Sequence, residues 1–171
     1  MSTPDIIRGR AWVFGDRIDT DLLAPGHAMK KGPEALAMHC LEAVDPAFAR
    51  EVERGDIVVA GEDFGIGSSR EQAAISLKLL GVSAVIAKSF ARIFYRNAIN
   101  IGLPAIPLAE AGDIAAGDRL LVDLSKGELV DETTGEEFAF PPLPDHLTAM
   151  IEAGGLMAQL KARFNAPEAQ P

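Results

Sequence analysis

The side chains able to act on a ligand are concentrated in one segment, Gly61-Glu-Asp-Phe-Gly-Ile-Gly-Ser-Ser-Arg-Glu71. Glycines after an apolar run let the backbone approach a ligand, and a helix starting behind them offers free N–H groups and a positive dipole end. Gly67 leads directly into Ser68, Ser69 and Arg70, which add two hydroxyls and a fixed cation. Together they suit a small anion, a carboxylate or a phosphate. Two familiar nucleotide patterns are excluded. The phosphate loop needs Gly-Lys-Ser/Thr, which does not occur in the chain. The dinucleotide fingerprint needs a small residue where Arg70 stands. The same residues also fit helix capping, since Ser68 with Glu71, or Ser69 with Gln72, makes a Ser-x-x-Glu/Gln box. On spacing alone capping is the simpler account. Two serines beside Arg70, behind a run of glycines, are more polar equipment than a cap requires, and both readings stay open at this level.

Other polar residues carry weaker signals. If Asp19-Thr-Asp-Leu-Leu23 is extended, Asp19 and Asp21 share a face and could orient Arg70, although ordinary turn chemistry accounts for Asp19 as well. His39 and Cys40 are neighbours pointing about 100° apart on a helix. They make no joint chelate, no further ligand set is visible, and they read as partly buried helix residues. His27 falls in a loop and His146 at the start of the last helix, neither with an assigned role. Lys88, Ser89 and Arg92 open a helix, with Ser89 as its N-cap. A single cysteine forbids an internal disulfide and cannot supply the ligands of a zinc or iron–sulfur site, so the site residues include no metal ligand.

The elements that must position these groups form a mixed α/β pattern. The chain has 171 residues, 48% hydrophobic and 24% charged, the balance of one folded domain. A net charge of −9 argues against a nucleic-acid or anionic-membrane partner. No apolar run approaches the roughly 20 residues of a membrane helix, and no signal-like segment opens the chain, so a cytoplasmic location is expected. Trp12-Val-Phe14 reads as an opening strand. Pro33 starts a helix, and His27 to Gly32 reads as a loop. Asp56–Ala60 and Val82–Ala87 are buried strands, each followed by a helix, about Ser69–Leu80 and Phe90–Asn100. That alternation implies crossover units and parallel pairing. From Arg119 the pattern changes to a meander with turns at Ser125-Lys-Gly127 and Thr133-Thr-Gly135, and a last helix covers Asp145 to Phe164.

Longer matches now become visible. Gly61 through Ala73, then Val85-Ile-Ala-Lys-Ser-Phe-Ala-Arg-Ile-Phe-Tyr-Arg-Asn-Ala-Ile-Asn-Ile-Gly102, with Gly15-Asp-Arg-Ile-Asp-Thr-Asp21 and Pro25-Gly26, resemble the swivelling domain of the aconitase superfamily. The pattern is most similar to the family of free-standing small subunits of 3-isopropylmalate dehydratase. The resemblance implies a single three-layer β/β/α domain with a mixed sheet over residues 1–165; the terminal stretch 166–171 is expected to be a disordered tail. It implies a hydro-lyase that moves a hydroxyl between adjacent carbons of a malate-type acid in leucine biosynthesis. It also implies a large partner subunit that holds a 4Fe–4S cluster, with no cofactor on this chain. A serine at the position of Ser68 would be the base. Ser69, Arg70 and Gly67 would bind the carboxylates of the hydroxy-diacid substrate, with Thr20 and Asp21 close behind.

One loop departs from the family pattern. After Pro25-Gly26 the usual Tyr-Leu is replaced by His27-Ala-Met-Lys-Lys31, which puts Met29 at the residue that sorts substrates and Lys30 beside it. Met packs on a branched alkyl group and cannot pair a third carboxylate. Isopropylmalate or dimethylmalate is therefore favoured over homoaconitate or citrate. A dimethylmalate dehydratase or homoaconitase subunit, or a non-catalytic anion-binding module, remain the alternatives.

Overall fold

In the computed structural model, which describes residues 5–165, the all-apolar runs form the middle of a sheet. The opening strand β1 (Ile6–Val13) starts six residues before the expected Trp12. Its buried residues alternate as Ile7, Gly9 and Ala11, and the intervening Arg8 and Arg10 disguise the strand as a polar stretch. β2 (Ile57–Ala60) and β3 (Ala84–Ala87) are buried at every position, so they show no alternation. β4 (Ala105–Pro107) was not foreseen; it is three residues long and sits at the sheet edge, where a proline is tolerated. β1 to β4 pair in parallel, with Ala11 opposite Ile57 and Val58 opposite Val85. The expected meander is present as β5 (Arg119–Asp123), β6 (Glu128–Asp131) and β7 (Glu137–Ala139), running antiparallel from the other edge of β1. The sheet order is β4-β3-β2-β1-β5-β6-β7.

Two apolar clusters, one on each side of the parallel strands, give the layers. Val58, Ala60, Val85 and Ala87 join helical residues such as Ala73, Leu77 and Phe94. Ile57, Val59, Ala84 and Ile86 join Leu120, Val122 and Leu129 of the meander. The sheet therefore curls so that its antiparallel half covers the second face, joined there by Ile99 and Ile151. Helices, parallel strands and meander are the three layers of a β/β/α fold.

The helices differ from expectation in ways that matter for the site. Asp19–Leu23 is not extended: α1 (Thr20–Leu23) is a single helical turn, because the Asp19 carboxylate accepts the Leu22 N–H at 2.8 Å and caps it. The segment Gly26–Lys31 is a 3-10 turn rather than a loop. Pro33 opens α2 (Pro33–Ala37) as expected, and α3 (Phe48–Glu51) follows. α4 (Glu71–Leu79) and α5 (Arg92–Asn100) are the two crossover helices, each starting two residues later than the sequence suggests. The last helix splits at Gly154-Gly155, both at positive φ, into α6 (Asp145–Glu152) and α7 (Leu156–Asn165). The expected disordered tail, 166–171, lies outside the described residues. Among the described residues no helix is long and apolar enough to cross a membrane.

Candidate active site

The glycine-rich segment leaves the end of β2 and meets α1. Its backbone is stitched to the N-terminal segment by Gly65 N–H to Ile18 O at 2.7 Å and Thr20 N–H to Ile66 O at 2.9 Å. Gly67 adopts a φ of +109°, and a Cβ there would stand 2.9 Å from Thr20 Oγ1. Only glycine combines that backbone with that approach. Asp63, at φ +56°, turns the start of the segment, and its N–H donates to Ser89 Oγ at 2.8 Å. Ser89 is thus not the cap of α5, whose N-cap is Ala91. It holds the glycine segment instead, together with Asp16, which accepts the Glu62 N–H at 2.8 Å.

The capping account of Ser68 and Ser69 is overturned. α4 begins at Glu71, and its N-cap is Arg70 with no side-chain cap bond, so neither capping box forms. A turn closed by the Arg70 N–H on the Ser68 carbonyl, 2.8 Å, separates the serines from the helix. Ser68 Oγ lies 3.1 Å from Oγ1 of Thr20, which is buried. Ser69 is exposed and its hydroxyl makes no hydrogen bond among the described residues.

Arg70 is anchored on one nitrogen. Its Nη1 donates to Asp21 Oδ1 at 3.0 Å and to the Ala24 carbonyl at 3.0 Å. Nε and Nη2 make no hydrogen bond among the described residues, so an edge of the guanidinium fork stays open for a carboxylate. The hydrogen bond from Arg70, then that from the Gly26 N–H at 3.1 Å, holds the Asp21 carboxyl below the usual carboxylate range. Asp21 is an anion at neutral pH, and it fixes the cation without closing it off.

The match to known proteins follows this geometry. A family model, the aconitase C-terminal domain, covers residues 20–111, from Thr20 past Arg70 to the end of the parallel strands. The 3-isopropylmalate dehydratase small subunit 1 of Thermotoga maritima is 50% identical over 165 residues, 95% of this chain and 99% of that protein. The small subunit 1 of Archaeoglobus fulgidus is 53% identical over 155 residues, 90% and 96% of the two chains. The crystal structure of 3-isopropylmalate dehydratase from Methanocaldococcus jannaschii superposes with a TM-score of 0.87 at 46% identity, covering 93% of this chain and 95% of that one. The chain belongs to the 3-isopropylmalate dehydratase small-subunit family.

For a member of this family the remaining candidates fall around that centre. Thr20, Asp21, Gly67, Ser68 and Arg70 come together. Met29 and Lys30 sit on the neighbouring 3-10 turn, which the Gly26–Asp21 bond ties to the Arg70 anchor. Met29 is half-buried against the helix-side core, while Lys30 is exposed. Sequence spacing had no means of finding Ser89, Asp16 or the Ala24 carbonyl, because each acts across the fold. The chain's residues do not fit an iron–sulfur cluster. Cys40 is the single cysteine; it is fully buried, and burial pushes its thiol well above the ordinary range.

Proposed function

We propose that this chain is the small subunit of a 3-isopropylmalate dehydratase, with Ser68 as the base that removes the carbon-bound proton of a hydroxy diacid. The observation that carries this reading is Ser68 Oγ, outside any cap, beside the buried Thr20 hydroxyl at 3.1 Å, with Arg70 two residues on. A serine hydroxyl is a weak acid, so its alkoxide needs stabilisation. Thr20 Oγ1 can donate to it, and the Arg70 guanidinium and the N-terminus of α4 lie on the same short segment. The open edge of Arg70, with the Ser69 hydroxyl, would grip a substrate carboxylate and hold the adjacent C–H over Ser68. Gly67 would leave room for that approach. Met29 would face the alkyl group that distinguishes isopropylmalate, and Lys30 the solvent side. No cluster chemistry arises on this chain; a 4Fe–4S cluster is assigned to a large partner subunit, and the location to the cytoplasm.

The test is kinetic, in complex with a cluster-binding large subunit. Ser68→Ala should lower kcat by about 10²-fold or more with KM little changed, as for loss of a general base. Thr20→Val should lower kcat less, because it removes only the neighbouring donor. A near-normal kcat for Ser68→Ala would leave an anion-binding module without catalysis as the better account.

A further inference from the structure

Outside the serine site, the fold assembles a set of ligating side chains that the sequence kept apart. His27 lies on the 3-10 turn Gly26–Lys31, and His39 and Glu42 lie on the turns after α2. His27 Nε2 is 2.7 Å from Glu42 Oε1, and His39 Nδ1 is 2.7 Å from Glu42 Oε2. The two imidazoles meet edge to face, with centroids 5.1 Å apart. One ligating atom from each of the three residues lies within 4.8 Å of the others. The sequence pair His39-Cys40 offered no ligand set; the tertiary structure supplies one that leaves Cys40 in the core.

We propose that His27, His39 and Glu42 bind one borderline divalent transition-metal ion, of which Zn2+ fits best. Two imidazole nitrogens and a carboxylate are a ligand set that zinc accepts in open sites, with a water in the fourth position. Magnesium and calcium prefer all-oxygen shells, and copper(I) prefers sulfur. Bonds of about 2.0–2.2 Å in a tetrahedron separate the donors by about 3.4 Å. The carboxylate, now hydrogen-bonded to both rings at 2.7 Å, has to withdraw slightly, and all the donor separations, within 4.8 Å, must settle near that tetrahedral edge. The His27 side chain is 60% exposed and Glu42 36%, so an ion enters from solvent without opening the core.

Lys31 opposes the ion. Its Nζ lies 3.3 Å from His39 Nε2, and an ammonium can only donate, so in the metal-free state that nitrogen accepts and Nδ1 carries the hydrogen. Ligation through Nδ1 moves the hydrogen to Nε2, where it faces the ammonium donor-to-donor, and Lys31 must swing away. Once bound, the ion staples the turn that carries Met29 and Lys30 to the segment behind α2.

The experiment uses the tag-free full chain, titrated with ZnCl2 by calorimetry and with CoCl2 by visible absorption. One ion per chain is expected, with the d–d bands of a tetrahedral cobalt site. His27→Asn and Glu42→Gln should weaken binding by about tenfold or more, and Lys31→Met should tighten it. His146→Asn, at the third histidine of the chain, should leave it unchanged. Zinc should also slow hydrogen exchange of the Gly26–Lys31 amides. Melting of each variant in EDTA verifies that the exposed substitutions leave the fold intact. Binding no stronger than that of a His27→Asn/His39→Asn double variant, or binding abolished by His146→Asn, would overturn the proposal.

Discussion

At the scale of single residues, the candidate site sets an exposed hydroxyl-bearing segment against a buried support. Thr20 is buried, while Ser68 and Ser69 face solvent. Arg70 is held by Asp21 and the Ala24 carbonyl on one nitrogen, which sets the plane of its fork before any ligand binds. Arg70→Lys should therefore raise KM for the diacid by about tenfold or more, since an ammonium cannot reproduce a bidentate, pre-oriented contact. Steady-state kinetics on the reconstituted complex checks this, and an unchanged KM would remove Arg70 from the binding role. The Asp21–Arg70 pair also has a defined pH window. The folded carboxyl titrates below its ordinary 3.8, so the pair is intact above that value and is lost only as pH falls through the depressed one. A carboxyl NMR titration of Asp21 should show a midpoint below 3.8, and a midpoint at or above that value would show that the pair does not form in solution.

At the scale of elements, the site is the junction between the end of β2 and a one-turn helix. The cap by Asp19 makes that turn; Thr20 is buried and Asp21 exposed, while the Asp19 carboxylate folds back onto the Leu22 N–H instead of sharing a face with Asp21 as an extended segment would have it. Gly67 is the point where the segment approaches Thr20. Gly67→Ala forces a side chain into the left-handed region, at about 1–2 kcal/mol, and drives a methyl against Thr20 Oγ1. The melting temperature should fall by about 2–4 °C per kcal/mol. Activity should fall further than stability does, because the displaced atom is the one beside Ser68. Equal losses in Ser68→Ala and the Gly67→Ala/Ser68→Ala double variant would show that both act through the same hydroxyl.

At the scale of the whole molecule, the chain is a layered support for the serine segment. The serine segment opens to solvent, and Leu23, Ala24 and Phe64 near it belong to the apolar cluster on the helix side of the sheet. One buried cysteine leaves the chain without the thiolates of a cluster. The purified chain should be colourless and inactive, and should gain an oxygen-sensitive activity only when mixed with a cluster-bearing large subunit. Dehydratase turnover by the isolated chain would refute the two-subunit reading.

The sequence by itself determined the elements whose signal is local. Ile57–Ala60 and Ala84–Ala87 are apolar at every position because both faces are covered, and the meander is marked by its turn residues. It also marked Gly67–Arg70 as the chemical segment, since glycines, hydroxyls and a guanidinium there are adjacent in the chain. Local spacing misjudged the same serines as helix caps, because a capping box and a serine-bearing turn share their letters until the backbone chooses where the helix starts. Only the tertiary structure decided the partners. Thr20 and Ser68 are 48 residues apart, Asp21 and Arg70 are 49, and no periodicity reaches across such distances. His27, His39 and Glu42 carry no recognisable ligand spacing, and they meet because α2 and the 3-10 turn fold back on one another. Contacts of that kind are set by how the layers pack, which the order of residues along one element does not encode.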